Sequence, residues 1–127
     1  MATFDSVKTI TGIAGTAISI YRFVVIAADG QYDHVGTAQI RADGVSAEAQ
    51  ATVGQPFGIV KQDGAIAKVE SGAAITAGAQ VATDNAGKVI THVTTAGNYI
   101  LGVAKTASSA DGEIIEVILT AAHQDGA

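Results

Sequence analysis

Three histidines have the widest chemical range in this sequence, because a neutral imidazole can act as a general base or as a metal ligand. Asp29, Asp33 and His34 lie close together along the chain and could gather around a metal ion. They lack the spacing of zinc sites and calcium loops, and they fall in a predicted turn, where carboxylates are common. We therefore predict a solvated turn there and no metal site. His92 is expected to be a surface or hydrogen-bonded structural histidine, and His123 has no convincing partner in the sequence.

The hydroxyl and thiol groups do not predict covalent catalysis. Ser19, Ser71 and Ser108 are not part of a G-x-S-x-G motif, and the chain contains no cysteine that could act as a nucleophile. The glycine-containing stretches GIAG and SGAAITAG lack the GK[ST] sequence of a phosphate-binding loop. We expect no enzymatic activity, no catalytic residue and no cofactor.

Two carboxylates and one lysine complete the candidates for chemistry. Glu113 and Glu116 flank two isoleucines, so on a strand they point to opposite faces and cannot cooperate as an acid and a base. We interpret them as solubilising charges near an exposed sheet edge. Lys88 follows the predicted turn 85–87, a position where a carrier lysine could lie. It lacks flanking hydrophobic or methionine signals, so a small β-barrel carrier domain is the third of three alternatives.

The composition restricts the partners that the chain can have. Hydrophobic residues make up 48% of the 127 residues and charged residues only 15%, which predicts an unusually neutral surface that neighbouring subunits could cover. A net charge of −5 with seven scattered Lys and Arg residues argues against nucleic-acid binding. The apolar run after Lys8 contains Arg22, and Asp5 precedes it, so we predict neither a signal peptide nor a membrane span.

Glycine turns separate short apolar runs along the chain, which predicts a mainly β fold. The Asp29-Gly30 pair predicts a hairpin after YRFVVIAA, and the 85–87 turn predicts a second one between QVATD and KVITHV. A turn is also predicted at Asp43-Gly44. The Ala-rich segment that follows is expected to hold one short helix before Gly54. Asp63-Gly64 predicts a further turn between two strands.

A ten-residue spacing recurs in the two parts of the chain. Gly44-Val45 precedes Gly54 and the strand FGIV, and Gly102-Val103 precedes Gly112 and the strand IIEVIL. We interpret this as two similar halves of one barrel. The predicted organisation is an extended N-terminal arm or irregular edge segment over residues 1–20, a β-barrel domain over 21–122 and a flexible tail over 123–127.

Several of these segments together resemble the capsid cement, or head decoration, proteins of tailed bacteriophages. The resemblance rests on GAAITAGAQVATD, on GKVI, on LGVA and on DGEIIEVIL, with YRFVVIAADG, ADGVSAEA and VGQPFGIV similar to the first half of that family. It spans roughly residues 20–120. It implies a small β-barrel or β-tulip (β-clip-like) domain with one short helix and an extended N-terminal arm.

The resemblance also implies a function. Such a protein binds the outside of a phage head, as a homotrimer, and stabilises the mature shell by bridging subunits of the major capsid protein. It is made in the host cytoplasm and located on the outer capsid surface of the virion. Residues that could contact the capsid through the arm are Thr3, Phe4, Asp5 and Lys8. The second alternative is another virion structural module, such as a tail or fibre component with the same β architecture.

Overall fold

The computed structural model describes residues 9–125, and this part of the chain is built from β-strands and turns without a helix. The mainly β prediction is confirmed. The strands are β1 (Thr9–Ile13), β2 (Phe23–Ile26), β3 (Tyr32–His34), β4 (Gly44–Ser46), β5 (Pro56–Lys61), β6 (Ile66–Glu70), β7 (Gln80–Thr83), β8 (Val89–Thr91), β9 (Tyr99–Ala104) and β10 (Ile114–Gln124).

The strands form two five-stranded antiparallel sheets with the same order. The first sheet has the order β1-β5-β4-β2-β3, and the second has the order β6-β10-β9-β7-β8. Each strand of the first sheet therefore has a counterpart in the second sheet at the same position and at the same rank along the chain. We call residues 9–61 the first repeat and residues 66–124 the second repeat.

The pairing registers of the two repeats also coincide. Val45 pairs with Val60 in the first repeat, and Val103 pairs with Ile118 in the second, so both partners are shifted by 58 residues. The parallel bridge between Ala14 and Tyr32 has its counterpart between Ser71 and Val89, with a shift of 57 residues. The shift grows by one residue in the loop after β3 and β8. Equivalent residues of the two repeats are assigned below by these shifts.

Glycine-containing turns close the two hairpins at equivalent positions. Gly30 and Gly87 both have a positive φ, of 84° and 81°, a conformation that glycine adopts without a steric penalty. Ahead of Gly30, the Asp29 carboxylate accepts a hydrogen bond from the backbone N–H of Gln31 at 2.9 Å. Tyr21 has a positive φ of 64°, and its counterpart in the second repeat is Gly78, with a φ of 87°.

The predicted short helix and the predicted Asp43-Gly44 turn are wrong. Gly44 starts β4, and the Ala-rich segment after it forms bends and a single bridge instead of a helix, because its backbone groups pair with segments distant in sequence. The N–H of Ala47 donates to Gly58 O at 2.9 Å, while Gln50 exchanges two backbone hydrogen bonds with Ile18. These long-range bonds override the helix propensity of alanine. Residues 9–125 contain no helix of the length and apolarity that crossing a bilayer requires.

The core has two parts. A small cluster belongs to the first repeat alone and contains Ala14, Ile18, Val24, Phe57 and Ile59. A larger cluster joins the repeats, because Phe23 and Val45 of the first repeat lie in it with Val69, Leu101 and Leu119 of the second. Burial of these side chains stabilises the pairing of the repeats, at about 1.5–3 kcal/mol for each large apolar side chain.

The ends of the described chain belong to the sheets. Thr9–Ile13, inside the range assigned to the arm, form the edge strand β1, which pairs with β5. At the other end, β10 continues through Gln124, and His123 pairs with Ile100 of β9. Residues 123–125, which the sequence assigned to a flexible tail, thus contribute to the second sheet and to its contacts.

Candidate interaction surface

The residues that suggested a metal site form local structural contacts instead. His34 Nε2 accepts a hydrogen bond from the backbone N–H of Ser19 at 3.0 Å. Partial burial lowers the pKa of His34, and the positive charge of Arg22 lowers it further. Asp29 caps its own turn. Among the described residues, no group of three or more His, Cys, Asp or Glu side chains could hold a metal ion.

His92 is a buried structural residue. Its side chain is 2% exposed, and its Nε2 lies 2.9 Å from Asp125 Oδ2. The same carboxylate oxygen accepts a hydrogen bond from the N–H of Thr95 at 3.1 Å. Asp125 therefore ties the end of β10 to the segment after β8, which agrees with the prediction of a hydrogen-bonded structural histidine. His123 is exposed on β10.

Two of the three serines form a buried pair rather than a nucleophile and its base. Ser71 Oγ and Ser108 Oγ lie 2.7 Å apart, and both hydroxyls are within 2.9 Å of the carbonyl oxygen of Ala110. This arrangement fixes the loop between β9 and β10. Ser19 contributes its carbonyl oxygen, which accepts a hydrogen bond from Ser46 Oγ at 2.6 Å.

The two glutamates interact with different neighbours. Glu113 accepts hydrogen bonds from the side chain and the backbone of Ser109, and these bonds lower its pKa. Glu116 forms an exposed ion pair with Lys105 at 3.3 Å.

Lys88 is held in ion pairs rather than presented at a hairpin tip. Its Nζ lies 3.0 Å from Asp111 Oδ1 and 3.3 Å from Glu70 Oε2, and its side chain is 21% exposed. The hydrogen bond to Asp111 raises the pKa of Lys88, and the bond to Glu70 adds to this shift. A protonated and paired amine is a poor nucleophile for carrying an acyl group. This geometry argues against the carrier alternative.

A shallow cleft of about 430 Å³ lies between the first sheet and the end of β10. Its lining alternates charged and small apolar side chains, including Ile10, Arg41, Lys61 and Ala122. Gln62 also lines the cleft, and its Nε2 donates to Leu101 O and Thr120 O at 2.7 Å each. The cleft has no convergent set of reactive groups, so it offers a contact surface rather than a catalytic site.

A row of three apolar residues and one glutamine crosses the solvent side of the second sheet. Ile66 of β6 pairs with Ile118 of β10, Ile118 pairs with Val103 of β9, and Val103 pairs with Gln80 of β7. We call these four residues the second outer row. Ile66 is 51% exposed and Ile118 is 38% exposed, and Ile114 on the same face of β10 is 47% exposed. Large apolar side chains grouped on one sheet face are typical of a protein contact site.

The equivalent row of the first repeat is covered at its β4 and β2 end. It runs through Thr9, Val60, Val45 and Phe23, which pair across β1, β5, β4 and β2 in the same register. Phe23 and Val45 are 0% and 1% exposed because the second repeat packs over them. We call these residues the first outer row. The positions of Val45 and Phe23 are thus buried in the first repeat, whereas their counterparts in the second repeat are half-buried at Val103 and exposed at Gln80.

These features define a class of protein: an all-β module built from two equivalent sheets, with exposed isoleucines on one sheet face that are suited to contact with another protein. The comparisons with known proteins give the family. The family model described as phage cement protein matches residues 2–119, so the chain belongs to the phage cement protein family and is a structural component of phage capsids. The prediction made from the sequence segments is confirmed.

A solved structure supports the fold assignment. The N base of the head fibre protein gp8.5 of bacteriophage phi29 matches with a TM-score of 0.71, and the alignment covers 88% of this chain and 92% of that chain. The sequence identity is 16%, so the likeness concerns the fold. No curated protein sequence matches this chain. The residues proposed for capsid contact, Thr3, Phe4, Asp5 and Lys8, lie outside the described residues.

Proposed function

We propose that this protein decorates the outside of a phage head, where it bridges subunits of the major capsid protein and stabilises the mature shell as a homotrimer. The observation that supports this most directly is the second outer row, with Ile66 and Ile118 exposed on a module of the phage cement family. Burial of such a row against a neighbour is favourable by roughly 25 cal/mol for each Å² of apolar area.

The low charge of the surface fits the same role. Only 15% of the residues are charged, so close neighbours can cover much of the surface without burying many unpaired ions. Many copies in a symmetric shell add their individual contacts, so weak binding at each copy gives strong stabilisation of the whole shell.

The N-terminal arm is proposed as the part that reaches the major capsid protein. Thr3, Phe4, Asp5 and Lys8 precede β1, which begins at Thr9 on the edge of the first sheet. A segment that enters at a sheet edge can extend onto a neighbouring protein without crossing the module. Phe4 offers an apolar anchor and Lys8 a positive charge.

A co-sedimentation assay tests this proposal. Purified protein is mixed with immature or expanded shells of the phage that lack it, and retention in the shell pellet is measured. We expect saturable retention on expanded shells and little on immature ones. The variant Phe4→Ala should weaken retention roughly tenfold or more, because a buried Phe side chain contributes about 1.5–3 kcal/mol. Val53→Ala is the matched control, since Val53 is an apolar residue that is 58% exposed in the turn before β5. Absence of retention on expanded shells would refute the proposal.

A second candidate is a fibre component attached to the head, and the fold likeness to a head fibre base favours it over other virion modules. Electron cryomicroscopy of particles distinguishes the two roles. A decoration protein gives density distributed over the capsid lattice. A fibre component gives density at the base of projecting fibres, and a tail component gives density on the tail.

A further inference from the structure

The two repeats contact each other through different surfaces. The first repeat contributes its outer row, and the second contributes β6 and the β7–β8 hairpin. The backbone N–H of Phe23 donates to Gly87 O at 2.8 Å, and the N–H of Glu70 donates to Tyr21 O at 2.9 Å. We call the surface formed by the end of β6 and the β7–β8 hairpin the second acceptor surface. A contact between unlike surfaces of like units leaves one surface of each kind unmatched within the pair.

The residue shifts between the two repeats identify the two surfaces that have no partner within the chain. One is the second outer row. The other is the first acceptor surface, formed by the end of β1 and the β2–β3 hairpin. On the first acceptor surface, Ile13 and Ile26 are 37% and 40% exposed. Gly87 and its counterpart Gly30 show the contrast directly. A Cβ at Gly87 would lie 2.9 Å from Phe23 O, whereas no described atom lies within 4 Å of a Cβ at Gly30.

The side chains at the two contacts are complementary in different ways. Within the chain, Arg22 Nη2 pairs with Glu70 Oε1 at 3.1 Å, and Arg22 Nη1 donates to Ala86 O at 3.1 Å. The counterparts of Arg22 and Glu70 are Ala79 and Ile13, which are both apolar. An apolar pair therefore takes the place of the charged pair. If the second outer row meets the first acceptor surface, Ala79 and Ile13 lie opposite each other and neither faces an unpaired charge.

We infer that a second copy of this chain covers the second outer row, placing its first acceptor surface there so that the contact between repeats within one chain recurs between chains. The contact continues the established interface between the repeats, and it is head to tail. A head-to-tail contact forms a ring when the rotation between successive copies closes, which the proposed homotrimer requires after three copies. This inference rests on the proposed homotrimer, and it names the two surfaces that join its subunits.

Thiol cross-linking tests the contact, since the chain contains no cysteine. The single variants Ile13→Cys and Ala79→Cys are mixed and treated with a homobifunctional maleimide. The spacer of this reagent is chosen to bridge the backbone separation of Arg22 and Glu70, the equivalent positions of the contact within one chain. We expect covalent dimers that contain one chain of each variant, and none from either variant alone. The double variant Arg22→Cys/Glu70→Cys is the positive control, because its cysteines occupy the known contact within one chain. Ala107→Cys in place of Ile13→Cys is the negative control, since Ala107 is an exposed residue of the second repeat and does not belong to the first acceptor surface.

The outcomes separate this inference from the proposed function. The experiment is run in solution and on expanded shells, where binding raises the local concentration. Shell retention without the Ile13–Ala79 product would overturn the head-to-tail contact and leave the capsid role in place. The mixed product without shell retention would support the contact and count against the capsid role. Self-linked dimers of one variant alone would show a two-fold contact and would also overturn the inference.

A charge placed in the second outer row gives an independent readout. Ile118→Lys should lower the light-scattering mass towards the 12.7 kDa of one chain, because a buried lysine disfavours the contact. Ala107→Lys should leave the mass unchanged, because the counterpart of Ala107 in the first repeat, Ala49, stays exposed beside the first outer row. An oligomer that keeps its mass with Ile118→Lys would contradict a contact through this row.

Discussion

Gly102→Ala should destabilise the protein strongly, although alanine suits most positions in a protein. A Cβ at this position would lie 2.4 Å from the backbone oxygen of Ile118 and 3.0 Å from Val117 Cγ1. The first of these atoms belongs to the neighbouring strand, so relief of the clash requires β9 and β10 to move apart. Overpacking of this kind costs typically 1–3 kcal/mol. We expect a loss in this range or above it, measured by urea unfolding followed by circular dichroism.

Gly58→Ala is the matched control, because Gly58 lies within strand β5 of the first sheet, where a Cβ would make only ordinary contacts. The nearest atom to its Cβ would be Glu48 Oε1 at 3.5 Å, an ordinary contact. Its counterpart in the second repeat is Glu116, so this position of the fold accepts a side chain. Stability should stay within about 1 kcal/mol of the original protein and can rise slightly. Equal stability of the Gly102→Ala and Gly58→Ala proteins would refute the steric reasoning.

Two further perturbations follow from the contacts. Arg22→Ala should cost about 1–3 kcal/mol of unfolding free energy, because it removes the hydrogen bonds to Glu70 and Ala86; Lys105→Ala, which breaks an exposed pair, should cost under about 1 kcal/mol in the same titration. Lowering the pH should destabilise the fold through His34, whose lowered pKa means that the folded state binds this proton less readily. The part of the unfolding free energy that depends on neutral His34 is complete above the ordinary pKa of histidine, and it declines as the pH falls through that value towards the lower pKa of the folded state. The urea midpoint should therefore drop more for the original protein than for His34→Gln. Equal drops would exclude His34 as the cause.

Local turn chemistry was predictable from the sequence, and long-range pairing was not. Asp29-Gly30 specifies a hairpin by itself, because a carboxylate that caps the turn and a glycine with positive φ are adjacent. Gly44 looks the same in sequence, since it also follows an aspartate. Its actual role is to let β4 approach Val60 O, which a Cβ would meet at 2.6 Å. Only the pairing of β4 with β5 distinguishes these two roles.

The interaction surface could not be predicted from the sequence pattern either, because its exposure depends on long-range packing. Ile118 alternates with buried neighbours along β10, and alternation shows that it faces away from them but not whether another element covers it. Val60, its counterpart, has the same alternation and is packed against the shared core. The difference arises from the position of the second repeat over the first. The sequence could therefore indicate candidate outward positions, while exposure required the arrangement of the two sheets.

The composition of the two outer rows is itself an argument for assembly. An antiparallel sheet with one face in solvent normally carries polar residues on that face. At the edge of the first row the chain has Thr9, whereas the equivalent position of the exposed second row is Ile66. Folding of the single chain does not require an isoleucine that is 51% exposed. Ile118 pairs with Ile66 and enlarges the exposed apolar patch, which lowers the solubility of a single chain. Burial of the row against a neighbour in the assembled particle accounts for both residues, and Val60, the counterpart of Ile118, is already half-buried against the shared core within the chain.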